Sequence, residues 1–208
     1  MDAQPPTPRT KPLATPHPPP YTAPVLKPDY PLTTPRLTLR PFTPDDLDAV
    51  HAFESRPDVT RYLYWEARDL DATRAGLDTK MSRTAITAEG DGLNLAVVRR
   101  DTGHLIGLAI LMWTSEQHRQ GEIGYILHPD HHGHGYATEA AREMLRLGFE
   151  GLHLHRIVGR LDGRNTASAR VLEKLGMRRE AHLIQNEHVK GEWTDEVIYA
   201  MLAREWTP

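Results

Sequence analysis

Hydrophobic and polar positions change period several times along the chain, and each change predicts an element. Residues 36–42, R-L-T-L-R-P-F, alternate apolar and polar and predict an edge strand with Pro41 near its end. Thr43-Pro44-Asp45-Asp46 is a helix start, with threonine as N-cap, proline at the first position and acids in the first turn. Leu47, Val50 and Phe53 follow at helical spacing, and Pro57 ends that helix. Residues 58–63 predict a short turn or helix, and 69–88 a second long helix with Gly76 as a weak point inside it. Apolar runs at 93–99, 104–113 and 122–127 predict three strands. Asp101-Thr102-Gly103 makes the first hairpin turn, Gly107 marks a bulge, and 116–120 is a polar connection. Such short joins make these three strands antiparallel.

The pattern then turns helical. Pro129 and Asp130 stop the strand at 122–127, and a tight loop carries Gly133 and Gly135. From Tyr136 onward, Ala137, Ala140, Ala141, Met144 and Leu145 recur at helical spacing, opposite Glu139, Arg142, Glu143 and Arg146; Gly148 and Gly151 mark the helix end. Residues 156–161 form the next strand. A turn at 162–165 leads into a helix over 166–175, closed by Gly176. Two strands at 177–189 and 193–204 surround a turn at Lys190-Gly191-Glu192. Strand, helix, strand from 122 to 161 implies a right-handed crossover and a parallel pair. The whole is one mixed α/β domain.

The glycine loop between strand and helix is the first hint of chemistry. The opening N–H groups of a helix lack internal acceptors, its dipole is positive there, and glycines let a bulky anion approach. The alternative is a plain turn whose glycines serve only φ > 0. A nucleotide P-loop needs Gly-Lys-Ser/Thr, but no lysine follows Gly135. A dinucleotide fingerprint needs a third glycine, but position 138 is Thr.

Composition narrows this further. Of 17 prolines, 12 lie in residues 1–35, so 1–31 predicts an extended, polyproline-prone tail ahead of a domain at 32–208. With no cysteine among 208 residues, disulfides, thiolate metal sites and a cysteine nucleophile are excluded. No apolar run approaches the roughly 18 residues of a membrane span and no signal-peptide pattern opens the chain, so a cytoplasmic protein is expected. A net charge of −3 gives no basic bias toward nucleic acid.

Three separated blocks now carry a resemblance. H-H-G-H-G-Y-A at the loop, N-x-x-S-x-x-V-L-E-K-L-G-M from Asn165, and G-E-W-T-D-E-V-I-Y-A-M-L from Gly191 resemble the GNAT acetyltransferase superfamily in residues and in order. With the opening L-T-T-P-R-L-T-L-R-P-F, the likeness is nearest to its RimJ/RimL-like branch, which includes ribosomal-protein N-terminal acetyltransferases. It spans about residues 32–206. It implies the GNAT fold: a mixed, mostly antiparallel seven-stranded sheet flanked by helices, with a central parallel pair that splays apart.

The resemblance also implies acetyl-CoA as cosubstrate and transfer to a primary amine, with a protein or peptide N-terminus as the expected acceptor. A small amine (polyamine, antibiotic or amino acid derivative) and a non-catalytic CoA-binding module are the alternatives. Neither nucleic acid nor membrane is expected as a partner, and the chain is expected to be a monomer or homodimer. The loop pattern falls on His132, Gly135 and Ala137, where His132 departs from the usual Gln or Arg. The N–H groups of His132, Gly133, His134, Gly135, Tyr136, Ala137 and Thr138 are expected at the pyrophosphate. The backbone of Tyr125, Ile126 and Leu127 is expected at pantetheine, Asn165 at its arm, and Arg164, Arg170 and Lys174 toward the adenosine side. Amine attack on the thioester needs a base, an oxyanion donor and a partner for the departing sulfur. Glu122 and Glu187 are the candidate bases, an N–H near Leu127 the donor, and Ser168 the partner for sulfur. The helix over 166–176 has no tyrosine, the residue the family uses there as general acid, and Tyr136 is expected to pack at the loop. His128, His131, His132 and His134 have spacing that zinc can use. A loop whose N–H groups face phosphate turns its side chains elsewhere, so no metal is expected.

Overall fold

The computed structural model describes residues 25–208. Eight strands form one sheet in the order β1-β2-β3-β4-β5-β6-β8-β7. They are β1 (Leu32–Thr33), β2 (Leu37–Pro41), β3 (Gly92–Arg99), β4 (Leu105–Ser115), β5 (Gln120–Leu127), β6 (Arg156–Asp162), β7 (Arg178–Val189) and β8 (Glu192–Leu202). All neighbours are antiparallel except β5 and β6. The strand beyond the expected seven is the two-residue β1, which folds back through a turn at Thr34 to cover β2, so β2 is not the edge strand expected.

Helices cover both faces. On one lie α1 (Leu47–Glu54), α2 (Pro57–Thr60) and α3 (Leu70–Ser82); on the other lie α4 (Tyr136–Arg146) and α5 (Thr166–Lys174). Alternation along β3 sends Leu93, Leu95 and Val97 into the core beneath α4, and Ala96 and Val98 into the core beneath α1 and α3. In β4 the alternation slips. Val97 pairs with Gly107 but Val98 with Leu105, so Ile106 is a bulge residue and faces the same core as Ala109. Gly107 is required there: a Cβ on it would lie 2.1 Å from the Ile126 carbonyl oxygen.

Several boundaries differ from the periodic reading. The helix expected over 69–88 stops at Ser82. Beyond it, Ile86 exchanges two backbone hydrogen bonds of 2.9 Å with Leu26, and the Asp91 carboxylate accepts the N–H groups of Thr87 and Ala88 at 2.8 and 3.0 Å. Those pairings consume backbone that a helix would need. Leu26 is 8 % exposed and packs on the core, so residues just ahead of β1 belong to the body. Of the expected tail, residues 1–24 lie outside the described residues. Gly76 has a positive role: the Arg68 guanidinium crosses α3 where a Cβ on Gly76 would meet it at 2.3 Å. From there Arg68 reaches Glu54 at 2.9 Å, and Lys80 meets the other oxygen at 2.8 Å. At the end of α5, Met177 N–H bonds to Leu172 and Gly176 N–H to Glu173, closing the helix with Gly176 at φ +84°. Among the described residues, no helix is long and apolar enough to cross a membrane.

Candidate active site

The parallel pair makes the site. β5 and β6 pair only at Gln120–Arg156, Gly121–Ile157 and Glu122–Val158, and diverge beyond. On the other side, β5 stays paired with β4 through Leu127. His128 N–H donates to Ile106 at 2.8 Å, and antiparallel strands alternate their hydrogen-bonding direction. The backbone of Ile126 therefore faces β4, and that of Tyr125 and Leu127 faces the open gap. A cleft of 440 Å³ continues from it, lined by Tyr125, Ile126 and Leu127, by the glycine loop, and by Asn165, Ser168, Arg170 and Lys174 of the α5 segment.

The loop presents main chain to this cleft. Gly133 and Gly135 both have φ +80°, and no side chain caps α4. The first helical bond is Glu139 N–H to Gly135 at 3.0 Å, so the N–H groups from Gly133 to Thr138 precede the helical ladder, whereas that of His132, expected at the pyrophosphate, donates to the Pro129 carbonyl at 2.9 Å. Arg36 braces the loop from behind. Its Nη1 donates to the His134 carbonyl at 2.8 Å, and its Nε and N–H donate to Glu139 at 2.7 and 2.8 Å. A trans peptide points C=O and N–H in opposite directions, so holding the His134 carbonyl aims the Gly135 N–H away from Arg36. The departure at His132 has a local use: its Nε2 lies 3.0 Å from the Leu127 carbonyl. The carbonyl can only accept, so Nε2 carries the proton, and the ring ties the loop to the end of β5. Tyr136 packs beneath the guanidinium groups of Arg36 and Arg99, 4.8 and 5.7 Å from the ring centre. His134 packs on Tyr136 and His128 on His131.

Asn165 is the N-cap of α5, its Oδ1 accepting the Ser168 N–H at 3.0 Å, which leaves the amide NH₂ to the cleft it lines. Ser168 meets a residue from β5: the Tyr125 hydroxyl is 3.0 Å from both Ser168 Oγ and the Ser168 carbonyl oxygen. Arg170 and Lys174 line the cleft. Arg164 does not; it is bound to Asp162 at 2.6 Å and Glu192 at 2.9 Å, on the acid side of the sheet described next.

Glu122, Arg160, Glu196 and Glu187 share one sheet face, because strand pairing keeps them in phase across β5, β6, β8 and β7. Arg160 bridges Glu122 at 3.3 Å and Glu196 at 2.9 Å. Glu196 is 3 % exposed and also accepts from Asn186 at 2.8 Å. Both Glu187 oxygens accept from the Tyr64 hydroxyl, at 2.8 and 3.0 Å. Burial lifts the Glu122 carboxyl above the ordinary carboxylate range; Arg160 opposes that, and the charges of Glu196 and Glu187 add to it. Burial and the Glu187 carboxylate push the Tyr64 phenol up. The two candidate bases thus fall in one cluster, while Ser168 sits by the opposite face of β5 with Tyr125. Sequence reasoning missed Tyr64, Arg160 and Glu196. The available signal was parity: Glu196 occupies an inward position of β8, in phase with Thr194, Ile198 and Ala200, where a lone charge needs a partner.

Comparison with known proteins agrees with this geometry. Residues 36–178, more than half of the chain, match the acetyltransferase (GNAT) domain family. The uncharacterized N-acetyltransferase YnaD of Bacillus subtilis (strain 168) is 34 % identical over 178 residues, covering 84 % of this chain and 98 % of that protein. A crystal structure of a GNAT-family acetyltransferase from Bacillus anthracis superposes with a TM-score of 0.75 at 34 % identity, over 83 % of this chain and 98 % of that one. Spermidine N(1)-acetyltransferase of Escherichia coli (strain K12) is 26 % identical over 163 residues, 76 % of this chain and 82 % of its own length. The chain belongs to the GNAT family. It is an acetyl-CoA-dependent N-acetyltransferase.

Proposed function

We propose that the acceptor is an α-amine followed by a carbonyl, as at a protein or peptide N-terminus. The observation that carries this reading is the charge pattern beyond the acid cluster. A second cavity of 110 Å³ lies next to the main cleft, sharing Tyr62 and Leu63 with it. It is lined by Arg61, Arg160, Arg164 and Lys190 against Asp162, Glu187 and Glu192. One ammonium is favoured beside Glu187; a lining that interleaves cations with the acids disfavours a second ammonium and offers donors to peptide carbonyls. The chemistry favours the same class. An α-amine with a pKa of about 7.7–8.0 is partly neutral at pH 7, whereas a primary alkylamine near 10.4 is not, so a modest base suffices.

In this reading Glu122 takes the ammonium proton, Glu187 with Tyr64 orients the amine, the Leu127 N–H stabilises the oxyanion, and Ser168 faces the departing sulfur. Tyr125 and Leu127 bind the pantetheine arm through their backbone, with Asn165 at its side and the Ile126 side chain against it. The N–H groups from Gly133 to Thr138 hold the pyrophosphate, with Arg170 toward the adenosine end. The spermidine acetyltransferase relative favours a polyamine as the second reading. Thiol release from acetyl-CoA over a panel decides: free and N-blocked peptides, amino acid amides and spermidine. The proposal expects the highest kcat/KM with free N-termini and none after blocking. Spermidine ahead of every peptide overturns it.

A further inference from the structure

Tyr125 enters the site in an unexpected way. Its backbone lies on the gap side of β5, yet its hydroxyl also reaches across to α5, 3.0 Å from Ser168 Oγ. Both residues line the 440 Å³ cleft. We propose that Tyr125 is the positioning residue for Ser168, turning the serine O–H outward to hydrogen bond the sulfur as it leaves. This deepens the reading of Ser168 above and rests on it.

The protons available to the pair allow two arrangements. The phenol has one hydrogen; the Ser168 carbonyl can only accept; Ser168 Oγ can do either. In one arrangement the phenol donates to the carbonyl, and the serine donates to the phenol, which closes the pair and turns the serine proton inward. In the other the phenol donates to Oγ, and the serine proton is free to point into the cleft, polarised by the bond it receives. Negative charge on a sulfur in the cleft favours the second arrangement. Without the phenol, the hydroxyl of Ser168, which lies in the first turn of α5 with no helical carbonyl four residues before it, loses the donor that turns its proton into the cleft.

Burial pushes the Tyr125 phenol up to about 12. A thiol ionises near 8.5, so the proton stays on the phenol, and the relay stabilises the thiolate by hydrogen bonding without transferring a proton to it. That separates it from general-acid catalysis.

The test uses three variants with the best acceptor. Tyr125→Phe is expected to lower kcat roughly 10- to 100-fold, the size of one hydrogen bond to a charged atom, with acetyl-CoA KM within about twofold. Ser168→Ala and the double variant should lose the same factor, not its square. Replacing Tyr125 with 3,5-difluorotyrosine keeps the shape and makes the phenol more acidic. A new alkaline limb in kcat should then appear where it ionises and stops donating, which a packing role would not produce and which remains readable if Tyr125→Phe folds poorly. Wild-type kcat in Tyr125→Phe, multiplicative losses, or an unchanged pH profile with difluorotyrosine each overturn the proposal. Wild-type kcat in Ser168→Ala overturns the underlying reading of Ser168 and this one with it; a slow Ser168→Ala beside a normal Tyr125→Phe overturns this one alone.

Discussion

Gly107→Ala should damage both stability and turnover, because the glycine sits where β4 presses on the end of β5. A Cβ there would lie 2.1 Å from the Ile126 oxygen, 2.5 Å from Leu127 Cδ2 and 2.8 Å from Leu127 Cα. An ordinary C···O contact begins near 3.3 Å, so the strands must separate by about 1 Å. Two of the three neighbours are backbone atoms, so rotating a side chain cannot relieve the clash. Overpacking of this kind costs about 1–3 kcal/mol, and each kcal/mol lowers Tm by about 2–4 °C in a chain of this size, giving a loss of roughly 2–12 °C. The displaced segment carries the Leu127 N–H and the carbonyl held by His132, and a 1 Å misplacement of reacting groups can cost about 100-fold in rate. Thermal unfolding by circular dichroism and steady-state thiol release measure the two effects. Gly103→Ala is the control: its φ of +71° strains alanine, but nothing lies within 4 Å of a Cβ, so it costs about 1 kcal/mol and leaves kcat alone. If Gly107→Ala melts within 1 °C of wild type and turns over normally, the close approach of β4 to β5 is not what sets the geometry.

Other perturbations isolate other parts. Glu54→Gln leaves Lys80 and Arg68 without their carboxylate at a 1 % exposed position and should cost about 3–5 kcal/mol by denaturant titration. Burial already pulls the Lys80 ammonium below its usual range. In the variant its folded-state pKa falls further below the unfolded value, so the deficit should shrink as pH rises toward 10 and grow as pH falls; a pH-independent deficit would contradict this. Because burial raises the Glu122 carboxyl, its ionised form costs stability once pH exceeds the folded-state pKa, so Glu122→Gln should raise Tm at pH 7 while lowering kcat. Glu196→Gln should move the acid limb of kcat/KM to lower pH, by removing a facing carboxylate and leaving Arg160 to Glu122; Arg160→Met should move it up. Arg36→Ala should raise acetyl-CoA KM several-fold with the amine KM unchanged, since Arg36 holds the His134 carbonyl away from the cleft.

Local signals made most of this architecture legible. Period-two alternation, the Thr43-Pro44 helix start and Gly176 each announced an element through backbone chemistry that a few neighbouring residues decide. What eluded them depended on contacts far along the chain. The end of α3 is decided by Leu26, sixty residues from its partner Ile86. The two-residue β1 is too short for any periodicity. The site divided the same way. The glycine loop and the Asn165 cap were readable because a few neighbouring residues decide each: two glycines at φ +80° and an Oδ1 that accepts the Ser168 N–H. The acid cluster was only half readable: Glu122 and Glu187 came from a family likeness, but Arg160, Glu196 and Tyr64 join them through strand register and a loop crossing 123 positions to Glu187. Arg164 illustrates the limit, since the turn that puts it ahead of α5 also places Asp162 within reach and turns it from the adenosine side toward the acids.

A crystal structure with bound CoA tests the central claim most directly. The account predicts the pantetheine arm between β5 and β6, bonded to the backbone of Tyr125 and Leu127. It predicts pyrophosphate oxygens about 3 Å from N–H groups of residues 133–138, and the sulfur beside Ser168. A ligand seated outside the β5–β6 gap, or a pyrophosphate held by side chains away from that loop, would contradict it.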